Sequence, residues 1–452
     1  MKINGYVFPV DNHCEFLSGE EVISGQQWAN ECTKLAEEIS HYSQKNWLLY
    51  EDDFYLYSRC FFALLIANKN IILAQSNTEQ RTEQAALIAD ITIGNLASKH
   101  LPSFKSATLT KKDISVSEIP ASTGIFTLSP TNTITLFTSG SSGEAKAIKK
   151  NWYQFVNEIE ALADLFNEKS TNNWIMATVT HKHIYGLLFK LLWPVFTNQK
   201  IITDTIEYPE QAEYYAQKLT DILFISSPSY LSRATDQLSH IAQANIKNIF
   251  SSGGPLPTPI AHSFFSQYKQ AVIEVYGSTE TGGIAWRQQV LNKQWLLFPQ
   301  HQVKLAPDST LHLTSPFLAE NTSIKTDDQV KLNGRYFELV GRVDRIIKLH
   351  EKRLSLDEME QCLSNLSLVE WCHCTIISTN KDQLVTLIKL SDKSQLPIDA
   401  LQKNALIRQL KSELLIKFEA SLLPKKWRFV EEIPYNSQGK LVKAQIIELF
   451  HT

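Results

Sequence analysis

A chain of 452 residues with 43% apolar and 20% charged side chains is long enough for two or three folded domains and a sizeable core. Its formal charge of −3 offers no field suited to nucleic acid or anionic lipid, and no long block of like charge appears. Six cysteines in this length match no zinc or redox spacing and make no disulfide framework, so they read as reduced thiols.

The amino terminus, MKINGYVFPVDNHCEF, lacks the apolar stretch of a signal peptide. The longest apolar run, Cys60 to Ala67, is far short of the roughly 20 residues that span a bilayer. A cytoplasmic enzyme without stable membrane insertion or a nucleic-acid partner is the expectation. Residues 1–130 read as an α/β scaffold. Phe54 to Ala67 is an apolar helix, Asn70 to Ala74 a buried strand, and Thr78 to Asp90 an amphipathic helix capped by Asn77. Leu101 to Pro130, polar and interrupted by proline and glycine, reads as loop.

The β-branched run Thr133 to Phe137 then delivers TSGSSGEAK, Thr138 to Lys146. Glycines and hydroxylated residues at a strand exit let backbone N–H groups approach a phosphate closely, and Lys146 adds a positive charge. It is not a Walker loop, because Ala145 occupies the place of that pattern's second glycine. A serine- and glycine-rich turn is also ordinary turn chemistry, so its meaning depends on the segments further along the chain. Ala147 to Lys150 reads as a return strand, and Asn151 caps a helix with Phe155, Ile159, Leu162 and Phe166 on one side.

Trp174 to Val179 is a strand ending in THKHIYGL, where His183 precedes Gly186 by three positions. Asp221 to Ile225 is a strand leading to a helix entry at SSPSYL. Ile246 to Phe250 is a strand followed by SSGGPLP, Ser251 to Pro257, after which Thr258 and Pro259 supply a cap and a first turn. Ala271 to Val275 runs directly into YGSTETGG, Tyr276 to Gly283. Strand, glycine turn and capped helix place such loops at the carboxyl edge of an open α/β sheet, where ligands bind. Glu280 is a hard oxygen ligand of the kind Mg²⁺ takes together with phosphate oxygens.

From Arg345 onward the pattern becomes a small α+β unit. It comprises helix Leu356 to Leu366, strands Trp371 to Ser378 and Gln383 to Leu390, and an amphipathic helix bearing Ile407, Leu410, Leu414 and Phe418. A last strand, Arg428 to Ile433, follows. Cys372 and Cys374 share one face of their strand and read as core rather than metal ligands. Ser355 and Glu358 form a capping box, which accounts for both residues without a catalytic role.

Taken in order, these segments resemble the signatures of the adenylate-forming superfamily of acyl-CoA synthetases, aryl-CoA ligases, peptide-synthetase adenylation domains and luciferases. The resemblance spans Thr138 to Lys440 and implies a large α/β domain of layered sheets over 1–342, joined by a hinge to a small α+β domain over 345–452. It implies that Thr138, Ser139, Gly140, Ser141, Ser142, Gly143 and Lys146 form the phosphate loop. Ser252, Gly253, Gly254 and Pro255 line the adenine, Tyr276 stacks on it, and Gly277 and Ser278 continue that wall. Thr279 donates to the α-phosphate and Glu280 holds Mg²⁺. His183 borders the carboxylate, Asp328 binds the ribose, Arg342 lies beside the hinge residue Asp344, and Lys440 reaches the carboxylate and α-phosphate. Asp327 and Glu351 stand where the family has glycines, in the ribose turn and beside the thiol tunnel respectively.

The activity implied is ATP- and Mg²⁺-dependent conversion of a small carboxylic acid to an acyl adenylate, then transfer to a phosphopantetheine thiol of CoA or an acyl carrier protein. The HIYGL and SSGGPL details look similar to ligases of bacterial aryl polyene and fatty-acid-like pathways, which favours a carrier protein and an aromatic or medium-chain acid. The alternatives are a stand-alone amino-acid-activating enzyme and a catalytically silent nucleotide-binding homologue. The segment before Thr138 is shorter than the family pattern implies, and no carrier domain is expected after Lys440.

Overall fold

The computed structural model describes residues 6–9, 14–76, 79–96, 101–106, 109, 125–139, 145–166, 172–235, 245–349, 352–378, 382–391, 399–435, 441 and 443–451. By internal packing the chain divides into two compact units, Met1–Gln302 with Thr314–Ser323, and Val303–Leu313 with Ile324–Thr452. The expected pivot, Asp344, and the expected boundary at 342–345 fall inside the second of these packing units.

In the first unit, strands Glu15–Ser18, Lys200–Thr205, Trp174–Ala177, Ile222–Ser226, Ile246–Ser251 and Ile273–Ser278 lie side by side and parallel. Antiparallel strands flank them, Glu21–Ser24 at one side and Gly282–Arg287 then Trp295–Leu297 at the other. The central strands Trp174–Ala177 and Ile222–Ser226 are almost wholly buried, as strands covered on both faces must be. A separate five-stranded sheet runs Ile91–Gly94, Asn46–Tyr50, Asn70–Leu73, Thr133–Ser139, Ala145–Asn151; only the last strand is antiparallel.

The main core of this unit is aromatic. Trp28, Trp47, Phe61, Phe62, Trp152, Phe155, Trp193 and Phe250 are all essentially inaccessible, many meeting edge to face. Helix Phe54–Ile66 carries apolar residues all round and is accordingly buried nearly all round, with Asp53 accepting from Leu56 N as its cap. Inside that core sits a buried ion pair, Arg59 Nη1 to Glu31 Oε2 at 2.8 Å, with the Tyr55 hydroxyl donating to the same carboxylate. No helix among the described residues is long and apolar enough to cross a membrane.

The second unit contains the antiparallel strands Ile324–Asn333 and Tyr336–Arg342, a hairpin Ile346–Leu349 with Lys352–Ser355, and the three-stranded sheet Val369–Ser378, Asp382–Leu390, Lys426–Phe429. Helices Leu356–Ser364 and Ala400–Leu414 cover the last sheet with Met359, Leu363, Leu410 and Leu414. Cys372 and Cys374 point into this core as expected, while His373, on the opposite phase, sits 3.1 Å from Glu360. Ser355 accepts from Glu358 N, but the Glu358 carboxylate pairs with Lys417 at 2.7 Å instead of closing a capping box.

Several boundaries differ from the sequence reading. Short strands at Ile91–Gly94 and Ile125–Leu128 went unread, the second inside the stretch read as loop. Thr258 is the first residue of its helix and Pro257 its cap, because the Thr258 hydroxyl donates to Gln289 Oε1 at 2.9 Å instead of turning back on the helix. Ahead of Trp152–Phe166 the bond at Asn151 runs from its backbone N–H to Gln154 Oε1, 2.8 Å. The expected cap at Asn77 lies outside the described residues.

Candidate active site

The carboxyl ends of the parallel strands gather the first group of candidate residues. Strand Ile246–Ser251 pairs with Ile273–Ser278 through Phe250↔Ile273 and Ser251↔Glu274, so the loops leaving them are neighbours. Ser252 Oγ donates to Val275 O at 2.8 Å and ties the two exits together. Gly253 has φ +91°, a left-handed conformation that explains the glycine, and Gly253, Gly254 and Pro255 are exposed. Beneath them Glu274 is a fixed post. It accepts from Leu256 N, from Gln289 Nε2 at 2.8 Å and from Arg287 in a two-pronged ion pair at 2.9 and 3.0 Å.

Tyr276 leaves the sheet half-buried, its ring centroid 5.5 Å from Trp295. Gly277 approaches the returning chain so closely that a Cβ there would sit 2.2 Å from Gly282 O. Between these points the turn is laced by hydroxyls. Ser278 N donates to Thr281 Oγ1 at 3.0 Å, Thr281 N to Ser278 Oγ at 3.3 Å, and Thr281 Oγ1 to Gly282 O at 2.8 Å. Thr279 and Glu280 form the tip, both half-buried. Among the described residues the Glu280 carboxylate has no hydrogen bond or salt bridge, so its oxygens remain available to a cation. No cluster of three or more metal-ligating side chains exists among the described residues, so a magnesium ion here would take Glu280 and oxygens of its nucleotide.

The hairpin carrying the expected phosphate loop is placed by its register. Thr138 pairs with Lys146 and Ser139 with Ala145, so the chain between them forms the connection at the hairpin's end. Gly140, Ser141, Ser142 and Gly143 lie outside the described residues, as do the side chains of Thr138 and Ser139; Lys146 is exposed. The return strand and following helix connect this hairpin to the Thr279–Glu280 turn through two residues that sequence reasoning missed. Lys150 is buried and its Nζ donates to Phe317 O at 3.2 Å. Burial pushes its pKa down, against the charges of Glu158 and Glu280, which pull it up. Glu158 is buried too; its Oε1 accepts from Gly283 N at 2.7 Å. Burial raises its pKa, while Lys150 and the Gly283 N–H oppose the rise. The signal was in the sequence: Glu158 follows Phe155 by three positions and precedes Leu162 by four, inside the buried stripe.

Strand Trp174–Ala177 leads to His183, which opens the short helix Ile184–Gly186 without capping it. Gly186 is required by contact, since a Cβ would lie 2.0 Å from Thr180 O. The helix continues as a π-helical stretch, Leu187–Leu192, a form frequent near functional sites. Lys190 there is fully buried, donates to Thr203 O, Asp204 O and Thr205 Oγ1 at 2.9–3.0 Å, and is driven down to about 7 by burial. His181, two residues before His183, also went unread. It is buried, bonded through Nε2 to Glu51 O at 2.9 Å, and burial holds it down at about 3, hence neutral.

In the second unit Asp328 and Arg342 are direct partners across their strands, with Nη1 to Oδ1 at 3.5 Å, and Arg342 Nη2 stands 3.6 Å from Asp327. Asp344 lies on the turn Val343–Arg345; its side chain is outside the described residues, and so is Lys440. The neighbouring Arg345 is clamped by Asp357 and Glu360.

A parallel α/β sheet whose strand exits carry a glycine turn, an aromatic residue and a carboxylate with no hydrogen bond or salt bridge among the described residues is an open-sheet arrangement, which binds ligands at the carboxyl ends of its strands. The family described as AMP-binding enzyme matches residues 60–314, and the chain belongs to that family. D-alanine–D-alanyl carrier protein ligase of Staphylococcus aureus is 22% identical over 390 residues, 79% of each chain. Among solved structures, ATP-bound MatB from Rhodopseudomonas palustris superposes with TM-score 0.79 at 14% identity, covering 97% of this chain and 96% of that one. O-succinylbenzoate Coenzyme A synthetase (MenE) of Bacillus subtilis, in complex with ATP and magnesium, gives 0.74 at 14%, covering 96% of each. These likenesses bear out the adenylate-forming fold expected from the motifs.

Proposed function

We propose that the chain is an AMP-forming acid–thiol ligase. It activates a small carboxylic acid with ATP and passes the acyl group to the phosphopantetheine thiol of an acyl carrier protein or of CoA. The observation that carries this reading is the turn at Thr279–Glu280. It stands at the exit of strand Ile273–Ser278 beside the Ser252–Pro255 loop, with a carboxylate that has no hydrogen-bond or salt-bridge partner among the described residues.

In the first half-reaction a carboxylate oxygen attacks the α-phosphorus of ATP and the bond to pyrophosphate breaks, leaving an acyl adenylate. In the second, a thiol sulfur attacks the acyl carbon, the thiol proton is lost and AMP departs. Two anions meet in the first step, so the chain's task is alignment and neutralisation of charge. Magnesium, when bound, neutralises phosphate oxygens and orients them. Glu280 holds that ion, Thr279 donates to the α-phosphate, and the hairpin end from Thr138 to Lys146 embraces the terminal phosphates. Tyr276 and the Ser252–Pro255 loop take the adenine, Asp328 the ribose hydroxyls and His183 the edge of the acid. Lys440 supplies the cation for the attacking carboxylate, and Arg342 and Asp344 belong to a hinge that re-presents the small domain, 345–452, to the large one, 1–342. The cytoplasm, where ATP and carrier proteins occur together, is the compartment this chemistry fits.

The acid favoured by the HIYGL and SSGGPL segments is aromatic or medium-chain. The name of the Staphylococcus relatives supports a second reading, an amino acid. ATP–pyrophosphate exchange over aryl, fatty and amino acids, followed by transfer to CoA or carrier protein, separates the two. Exchange with an aryl or fatty acid is the expected result; exchange with amino acids alone establishes the second reading; none with any acid leaves a silent nucleotide-binding homologue.

A further inference from the structure

We infer that Glu158 is a positioning residue for the turn that carries Glu280, a role that rests on the proposed binding of the metal by Glu280. The turn Tyr276–Gly283 is held at both ends by the strand pairing Gly277↔Gly283 and Ser278↔Gly282 and stiffened internally by the Ser278 and Thr281 hydroxyls. Its far end, where Gly283 O also meets His301 Nε2 at 2.7 Å, has one further support. Gly283 N donates to Glu158 Oε1 at 2.7 Å, and the carboxylate lies so tightly under the neighbouring residue that a Cβ on Gly282 would fall 2.6 Å from Oε2. Gly282 also has φ +70°, a conformation a side chain would resist. Gly282 therefore fits this carboxylate specifically, whereas a Cβ on Gly283 would meet the Phe298 ring at 3.0 Å.

An isolated buried carboxylate would be costly, and Lys150 supplies the opposite charge from the strand returning out of the phosphate hairpin. Lys150 is itself fixed by Phe317 O, which also accepts from Gln154 Nε2 at 2.9 Å. Its electrostatic reach extends to Glu280 as well as Glu158. The charge of one buried cation thus acts on both carboxylates, and the bond from Gly283 N to Glu158 ties the turn to the helix that follows the hairpin. Outer residues that orient a metal ligand without touching the ion have this chemistry. A simple core ion pair would need no hydrogen bond to the turn and no glycine moulded to it.

The test compares Glu158→Ala and Glu158→Gln with the wild type. Mn²⁺ binding to the complex with a non-hydrolysable ATP analogue is read by electron paramagnetic resonance, the Mg²⁺ dependence of pyrophosphate exchange by kinetics, and stability by thermal melting. Glu158→Ala is expected to need about tenfold or more additional Mn²⁺ for half-occupancy, with a matching rise in the apparent KM for Mg²⁺ and little change in the KM for the acid. Glu158→Gln keeps an acceptor for Gly283 N and should fall between. If Glu158→Ala does not fold, the double variant Lys150→Met/Glu158→Leu removes both charges together and should show the same metal defect. A folded variant lacking the Glu158 carboxylate with wild-type Mn²⁺ affinity overturns the role, even if its melting temperature falls. A wild type that binds no Mn²⁺ with the analogue overturns the assignment of Glu280 itself, and this role with it.

Discussion

His181 and His183 stand two positions apart and have different surroundings. The family motif draws attention to His183, yet it is His181 that the fold encloses, against Tyr57 at 4.4 Å and Phe54 at 5.5 Å between ring centroids. Burial holds its pKa at about 3, below the ordinary value of 6.5. Below 6.5 the unfolded chain takes up a proton that the folded chain refuses, so this residue's share of stability is present above pH 6.5 and is lost as pH falls toward 3. His181→Gln should therefore flatten the acid limb of the stability curve. The advantage of wild type over variant, measured by urea unfolding, should shrink by about 2–3 kcal/mol between pH 7 and 4.5. An unchanged gap would mean that the imidazole is solvated. Residues of this kind were hidden in the sequence because a histidine's letter carries no burial. Glu158 and Lys150 were legible only to a reader who asked why charges occupy positions on an inward-facing stripe.

At the scale of elements, the strands were readable where β-branched and aliphatic residues ran together and a glycine turn followed. Thr133–Ser139, Ile222–Ser226, Ile246–Ser251 and Ile273–Ser278 agree with their expected positions within a few residues. Short strands such as Ile125–Leu128 were not, because four residues set no period and their pairing with Tyr6–Pro9 is supplied by distant chain. Nor does sequence announce the π-helical run Leu187–Leu192, whose extra residue per turn is held by Lys190 reaching across to Thr203–Thr205. The helix that contains it begins against a backbone carbonyl. Gly186→Ala places a methyl group 2.0 Å from Thr180 O, a clash between two backbone-fixed atoms. Such overpacking is expected to cost about 3 kcal/mol or more and to displace His183. Thermal melting and the KM for the acid should both change; a melting temperature within a degree of wild type would show that the turn at Thr180 yields freely.

The whole molecule is where sequence motifs reach furthest, because the two units are each compact and the proposed chemistry needs both. Lys440→Ala should slow adenylation by roughly 10² or more while sparing thiolysis of adenylate supplied from outside. Asp344→Pro should leave pyrophosphate release intact and impair thioester formation, since a hinge acts through a few backbone dihedrals that proline restricts. Equal losses in both half-reactions for Lys440→Ala, or normal thioester formation in Asp344→Pro, would overturn the domain alternation. The order of the motifs conveyed the fold and the class of reaction. The frame beneath them stayed invisible, since it joins residues far apart in the chain: Lys150 and Gln154 to Phe317, and Asn157 to Pro316.

Those last bonds also set a schedule during synthesis. On a ribosome adding about 5–20 residues per second, the hairpin emerges well before the carbonyls at Pro316 and Phe317 that its return strand and helix require. Until then the bonds that Lys150, Gln154 and Asn157 make to those carbonyls cannot form. Those carbonyls lie in Thr314–Ser323, a segment that packs in the first unit but is made only after Val303–Leu313 of the second.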